Sequence, residues 1–61
     1  MKRMDHRAYP LSLRKKSVEQ LRFIIKDAGD AMRAMPDGEN ADYYADEVNY
    51  ASMELRLRGV R

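Results

Sequence analysis

The chain has 61 residues, no cysteine, one histidine and 36% charged side chains, and its formal net charge is +2. A domain this short buries only about 60% of its unfolded surface and needs a disulfide, a metal or self-association to be stable. Because disulfides and thiolate metal sites are excluded and His6 cannot hold a metal alone, we expect a homodimer without metal or cofactor.

Charge is distributed unevenly along the chain. Residues 1–17 carry six Lys or Arg against one acid, whereas residues 18–61 carry six basic and nine acidic residues. Between Asp37 and Glu54 there are six acids and no base. The position of charge decides which partners are attracted, so a basic and an acidic surface are expected.

Residues 1–16 are predicted to form a basic N-terminal arm that is partly disordered or extended. The alternative is an earlier helix start at Ser12, since Pro10 restricts little beyond itself. The arm lacks the apolar core and cleavage site of a signal peptide. No apolar run approaches the roughly 20 residues of a membrane span. We therefore expect a cytoplasmic protein without a membrane partner.

A first helix is predicted over residues 17–35. Ser17 and Gln20 have the spacing of a capping box, in which each side chain bonds the backbone N–H of the other residue. Apolar residues then recur at alternating gaps of three and four, which indicates one apolar seam. The seam residues are Val18, Leu21, Ile25, Ala28, Met32 and Met35. Gly29 has three explanations: exposure at the edge of the seam, a close helix contact opposite Ala51, or a hinge.

The segment after this helix has the composition of a tight turn. Pro36 disfavours helical geometry in the residue before it, and Gly38 is available for positive φ. A loop of about four residues returns the chain antiparallel to the first helix.

A second helix is predicted over residues 40–58, with Asn40 as its N-cap and Gly59 after its last turn. Its seam has the same spacing and consists of Ala41, Tyr44, Val48, Ala51 and Leu55. The predicted fold is therefore all-α: an antiparallel two-helix hairpin domain, residues 17–61, that dimerises into a four-helix bundle.

The second helix also carries an additional apolar stripe, about 130° around from its seam. The stripe is the predicted interface and consists of Tyr43, Tyr50, Met53 and Leu57. One partner helix cannot cover both faces, so contact with a second copy is the preferred interpretation. The alternatives are that the basic arm folds back over the tyrosines or that a different protein binds there.

An antiparallel hairpin places the start of the first helix beside the end of the second. Basic residues then gather at one pole, and Asp37, Glu39 and Asp42 gather at the loop pole, which favours antiparallel association of two copies. The basic pole is also a candidate nucleic-acid site, with salt-dependent affinity for phosphates. Its residues are Arg14, Lys15, Lys16, Arg56, Arg58 and Arg61.

Catalytic chemistry is not expected. The sequence contains no nucleophile–base pair, glycine-rich phosphate loop or metal-ligand cluster, and a chain this small does not readily enclose a pocket.

Two near-equal helices joined by a short turn, over residues 17–59, resemble the Rop-like proteins. That resemblance implies an antiparallel dimer of hairpins that binds paired RNA loops through polar residues of one helical face. No Rop binding motif matches residue by residue, so no site is transferred. The stretch over residues 42–55 also resembles short proteins of phages and mobile elements.

The leading functional prediction is a non-enzymatic, self-associating interaction protein. It would act through protein–protein contacts, with a host or element-encoded partner, as an accessory factor of a phage or mobile element. The alternative is a nucleic-acid-binding regulator that uses the basic pole and the arm.

Overall fold

The computed structural model describes residues 3–59, which contain three α-helices and no strand. Helix α1 spans Ala8–Leu13, α2 spans Val18–Ala34 and α3 spans Ala41–Leu57. The all-helical class is confirmed, and both long helices lie within the predicted ranges. Helices α2 and α3 pack against each other, and α1 packs on α3.

Helix α1 corrects the expectation of a disordered or extended arm for residues 8–13. Asp5 starts this helix, because its carboxylate accepts hydrogen bonds from the N–H groups of Arg7 (3.0 Å) and Ala8 (2.8 Å). Leu13 then lies fully buried against the two long helices. Burial of the Leu13 side chain stabilises α1. The sequence did not indicate this helix, because the segment has no recurring apolar seam. Residues 1 and 2 of the arm lie outside the described residues.

Both ends of α2 follow the sequence signals. Ser17 Oγ accepts the Gln20 N–H at 3.1 Å, and Gln20 Oε1 accepts the Ser17 N–H at 2.8 Å, so the predicted capping box is confirmed. The helix ends at Ala34, and Met35 takes φ −139° and ψ 72°. This conformation lies outside the helical region, which Pro36 disfavours in the residue before it.

The turn is tight for a reason other than the one predicted. Among the described glycines only Gly59 has positive φ (77°), so Gly38 does not supply a left-handed residue. A Cβ at Gly38 would instead lie 3.1 Å from the Met35 carbonyl oxygen. A side chain at position 38 would therefore be crowded against the backbone of its own turn.

Helix α3 begins without the predicted side-chain cap. Asn40 occupies the cap position, but its φ of −100° and ψ of 10° differ from the extended geometry that capping requires, and its side chain makes no cap hydrogen bond. At the other end, Gly59 takes the left-handed conformation expected after a helix, as predicted.

The core is very small. Within residues 3–59 the fully buried residues are Leu13, Leu21, Ala28 and Ala51. Tyr9, Ile24, Ile25, Tyr50 and Leu55 pack around this core and are partly buried. Met35, predicted at the end of the seam, is 68% exposed. Packing by a single copy therefore leaves much apolar surface in contact with water.

Candidate interaction surfaces

Helix α1 covers the middle of the predicted tyrosine stripe. The Tyr50 hydroxyl forms a hydrogen bond with His6 Nδ1 at 2.7 Å, and its ring lies 6.1 Å from the Tyr9 ring, centroid to centroid. The Tyr9 hydroxyl donates to Glu47 Oε2 at 3.3 Å. Tyr50 is therefore half-buried by the arm. At this residue the structure agrees with the alternative in which the basic arm folds back over the tyrosines.

The rest of the stripe divides into a covered and an exposed part. Tyr43 is half-buried, and its ring packs edge-on against Tyr44 at 6.1 Å. Met53 and Leu57 are 52% and 76% exposed, and together with Leu11 of α1 they line a small cleft of about 80 Å³. The exposed part of the predicted interface is thus an α1–α3 surface, and its use as an interface stays a prediction.

The contact between α1 and α3 also affects one ionisable group. Partial burial, together with the nearby Glu47 carboxylate that accepts its hydrogen bond, raises the pKa of Tyr9 to about 12. Asp5 is affected in the opposite direction, because hydrogen bonds from the Ala8 and Arg7 N–H groups lower the pKa of its carboxyl group. Each pKa shift favours the protonation state that makes these hydrogen bonds, neutral Tyr9 and ionised Asp5. The contacts that position α1 are therefore strongest when both groups are in those states.

The basic end of the molecule is organised by Arg58. Its Nε donates to Glu54 Oε2 at 2.8 Å, and its Nη2 donates to the carbonyl oxygens of Leu13 and Arg14 at 3.1 Å each. Those carbonyls belong to the C-terminal end of α1, where the helix dipole favours a cation. Arg58 therefore joins the end of α3 to the end of α1, a role that its position in the sequence did not reveal.

The other predicted phosphate-binding residues surround this end. Arg14, Lys15 and Arg56 are exposed and Lys16 is half-buried. Arg61 lies outside the described residues. The structure thus keeps several cations accessible at one end, whereas the guanidinium of Arg58 is already engaged by protein atoms.

The outer face of α2 carries a feature that the sequence reasoning missed. Phe23 is 67% exposed and lies beside Ile24. Three turns further along α2, a surface cavity of about 190 Å³ opens next to the loop. Its lining includes Ala31, Ala34, Met35, Gly38, Glu39 and Tyr44. The sequence did contain one indication of this surface, since Phe23 is a large aromatic residue outside the apolar seam.

Within residues 3–59 no group of three or more potential ligands is placed to hold a metal ion. None of the helices in this part of the chain has the length and apolar character to cross a membrane.

Comparisons with protein-family models, curated proteins and solved structures found no match. The likeness to Rop-like proteins therefore stays a prediction.

Proposed function

We propose that this chain is a non-enzymatic interaction protein that self-associates, with a dimer of hairpins as its basic unit. The single observation that supports the proposal is the ratio of exposed to buried apolar residues. Among residues 3–59, five large apolar side chains are at least half exposed, whereas only two large side chains, Leu13 and Leu21, are fully buried. The exposed side chains are Leu11, Phe23, Met35, Met53 and Leu57.

The energetic argument concerns how a small chain is stabilised. Burial of a Leu, Phe or Met side chain contributes about 1.5–3 kcal/mol, and a domain of this size is rarely stabilised by more than about 3–5 kcal/mol from its own core. Covering two or three of the exposed side chains would thus contribute as much as the core itself. Association with a second chain would supply this burial.

Sedimentation velocity over a concentration series tests the proposal. A mass that rises from 7.2 kDa toward twice that value with concentration, together with a midpoint of urea denaturation that rises in parallel, supports self-association. A chain that sediments as a monomer at several hundred micromolar contradicts it.

Nucleic-acid binding is the second candidate function. It is supported by the exposed cations at the end where α1 and α3 meet, chiefly Arg14, Lys15 and Arg56. Phosphate contacts would give an affinity that falls steeply with salt. Fluorescence anisotropy with duplex DNA, single strands and paired RNA loops at two salt concentrations tests this candidate. The variant Arg14→Glu should abolish binding. A wild-type chain that binds none of these nucleic acids at low salt would exclude this candidate function.

A further inference from the structure

The outer face of α2 is complementary to itself. At 3.6 residues per turn, positions 20, 23, 27, 31 and 34 of α2 fall within a sector of about 80°. Phe23 is exposed on one half of this face, and Ala31 and Ala34 on the other half line the cavity beside the loop, here called the loop-end cavity. A projection and a depression on opposite sides of Asp27 are what two copies related by a twofold axis require.

We propose that the protein dimerises by antiparallel pairing of α2 with α2 of a second copy, with Phe23 of each copy seated in the loop-end cavity of the other. The proposal rests on the self-association proposed above and specifies its surface. With the axis at position 27, position 23 faces position 31 and position 20 faces position 34. Both Phe23 side chains then meet alanines at the same time, so the contact closes and does not propagate.

The size of the cavity suits this occupant. A cavity of about 150 Å³ is sufficient to hold a benzene ring, and the loop-end cavity measures about 190 Å³. The side chains of Ala31 and Ala34 leave this space open, and Met35 and Tyr44 give it apolar and aromatic walls. An aromatic side chain in a small-residue depression matches the pattern of interface positions that dominate binding energy.

Charge complementarity supports the same orientation. The twofold axis brings the Lys15 and Lys16 end of one copy to the Asp37 and Glu39 end of the other, so opposite charges meet at both ends of the paired helices. A parallel pairing would place like charges together at each end. Asp27 is the exception, because the two exposed carboxylates come together at the axis.

A pair of matched variants locates the contact. Phe23→Ser and Leu57→Ser each remove one exposed apolar side chain, the first from the α2 face and the second from the α1–α3 surface. We expect Phe23→Ser to raise the dimer dissociation constant about tenfold or more, because each dimer loses two seated rings, and Leu57→Ser to leave it unchanged. We also expect Asp27→Asn to lower the constant roughly twofold, by removing a like-charge contact.

Comparing two charge-reversed variants with the wild type tests the orientation. The double variants K15E/K16E and D37K/E39K should each dimerise more weakly than the wild type, since antiparallel pairing then brings like charges together at both ends. In a parallel pairing the wild type already has like charges at each end, so neither double variant would dimerise more weakly than the wild type. An equimolar mixture should form a heterodimer, because both ends then carry opposite charges. Sedimentation of the single variants and of the mixture provides the measurement.

The possible results separate this inference from the function proposed above. A wild-type dimer that is unaffected by Phe23→Ser, or weakened only by Leu57→Ser, would overturn the α2 pairing and leave self-association standing. Double variants that dimerise as tightly as the wild type would also overturn the antiparallel pairing. A monomeric wild-type chain would overturn both proposals, and the α2 face would then be available only to a different protein.

Discussion

Replacement of Arg58 by alanine should destabilise the fold far more than its position near the end of α3 suggests. The side chain is 25% exposed and forms an ion pair with Glu54, whose side chain is 13% exposed. It also donates to two carbonyl oxygens at the end of α1. The substitution therefore removes the polar link between the C-terminal ends of α1 and α3 and leaves the Glu54 carboxylate without its cation.

The magnitude follows from the number and the exposure of these bonds. A hydrogen bond to a charged group contributes about 1.5–3 kcal/mol, and partial exposure places the contribution here near the lower limit. Allowing for one such bond to α1 and a partly screened pair with Glu54, we expect a loss of about 2–3 kcal/mol. At about 0.05–0.15 kcal/mol per residue, a chain of 61 residues has a free energy of unfolding of only about 3–9 kcal/mol.

Urea denaturation followed by circular dichroism measures this loss, at one fixed protein concentration so that association does not differ between samples. Arg56→Ala is the matched control, because Arg56 is an exposed arginine in the same last turn and its loss should cost no more than about 0.5 kcal/mol. The loss in the free energy of unfolding for Arg58→Lys should lie between those of Arg58→Ala and Arg56→Ala, since lysine keeps the positive charge but lacks the planar guanidinium group. Equal stability of Arg58→Ala and Arg56→Ala would refute the role assigned to Arg58.

Three further predictions concern the described contacts. Gly29→Ala should raise the free energy of unfolding by about 1 kcal/mol, because a Cβ there would meet only the end of the Arg33 side chain at 4.0 Å. Urea denaturation measures the change, and Gly38→Ala is the control, which should not raise the free energy of unfolding. Because the pKa of Tyr9 is raised from 10.0 to about 12, the unfolded chain loses this proton first, so stability should fall between about pH 10 and pH 12. Tyr9→Phe should lack that part of the fall, and an identical pH profile for both proteins would contradict the assignment. Asp5→Ala should accelerate hydrogen exchange of the Arg7 and Ala8 amides at the start of α1 and leave the amides of α2 unchanged, since the Asp5 carboxylate accepts hydrogen bonds from both of these N–H groups.

The sequence by itself determined the two long helices, both ends of α2 and the C-terminal end of α3. The capping box at Ser17, the stop before Pro36 and the left-handed Gly59 depend on interactions within a few residues, so local chemistry was sufficient to predict them. The alternating seam likewise predicted that Leu21, Ala28 and Ala51 face the partner helix. Such features are local or periodic, and a single chain displays them directly.

Only the tertiary structure decided what lies against the hairpin. Helix α1 is six residues long, too short for a periodic pattern, and it is positioned by contacts that span more than 35 positions of sequence, from Tyr9 to Glu47 and from Leu13 to Arg58. Those contacts half-bury Tyr50 and engage Arg58. The fold also leaves Phe23 exposed on α2 and forms a cavity where α2, the loop and α3 meet. Surfaces assembled from distant segments have no signature in one segment, which is why the arrangement of α1 and the loop cavity became visible only in the fold.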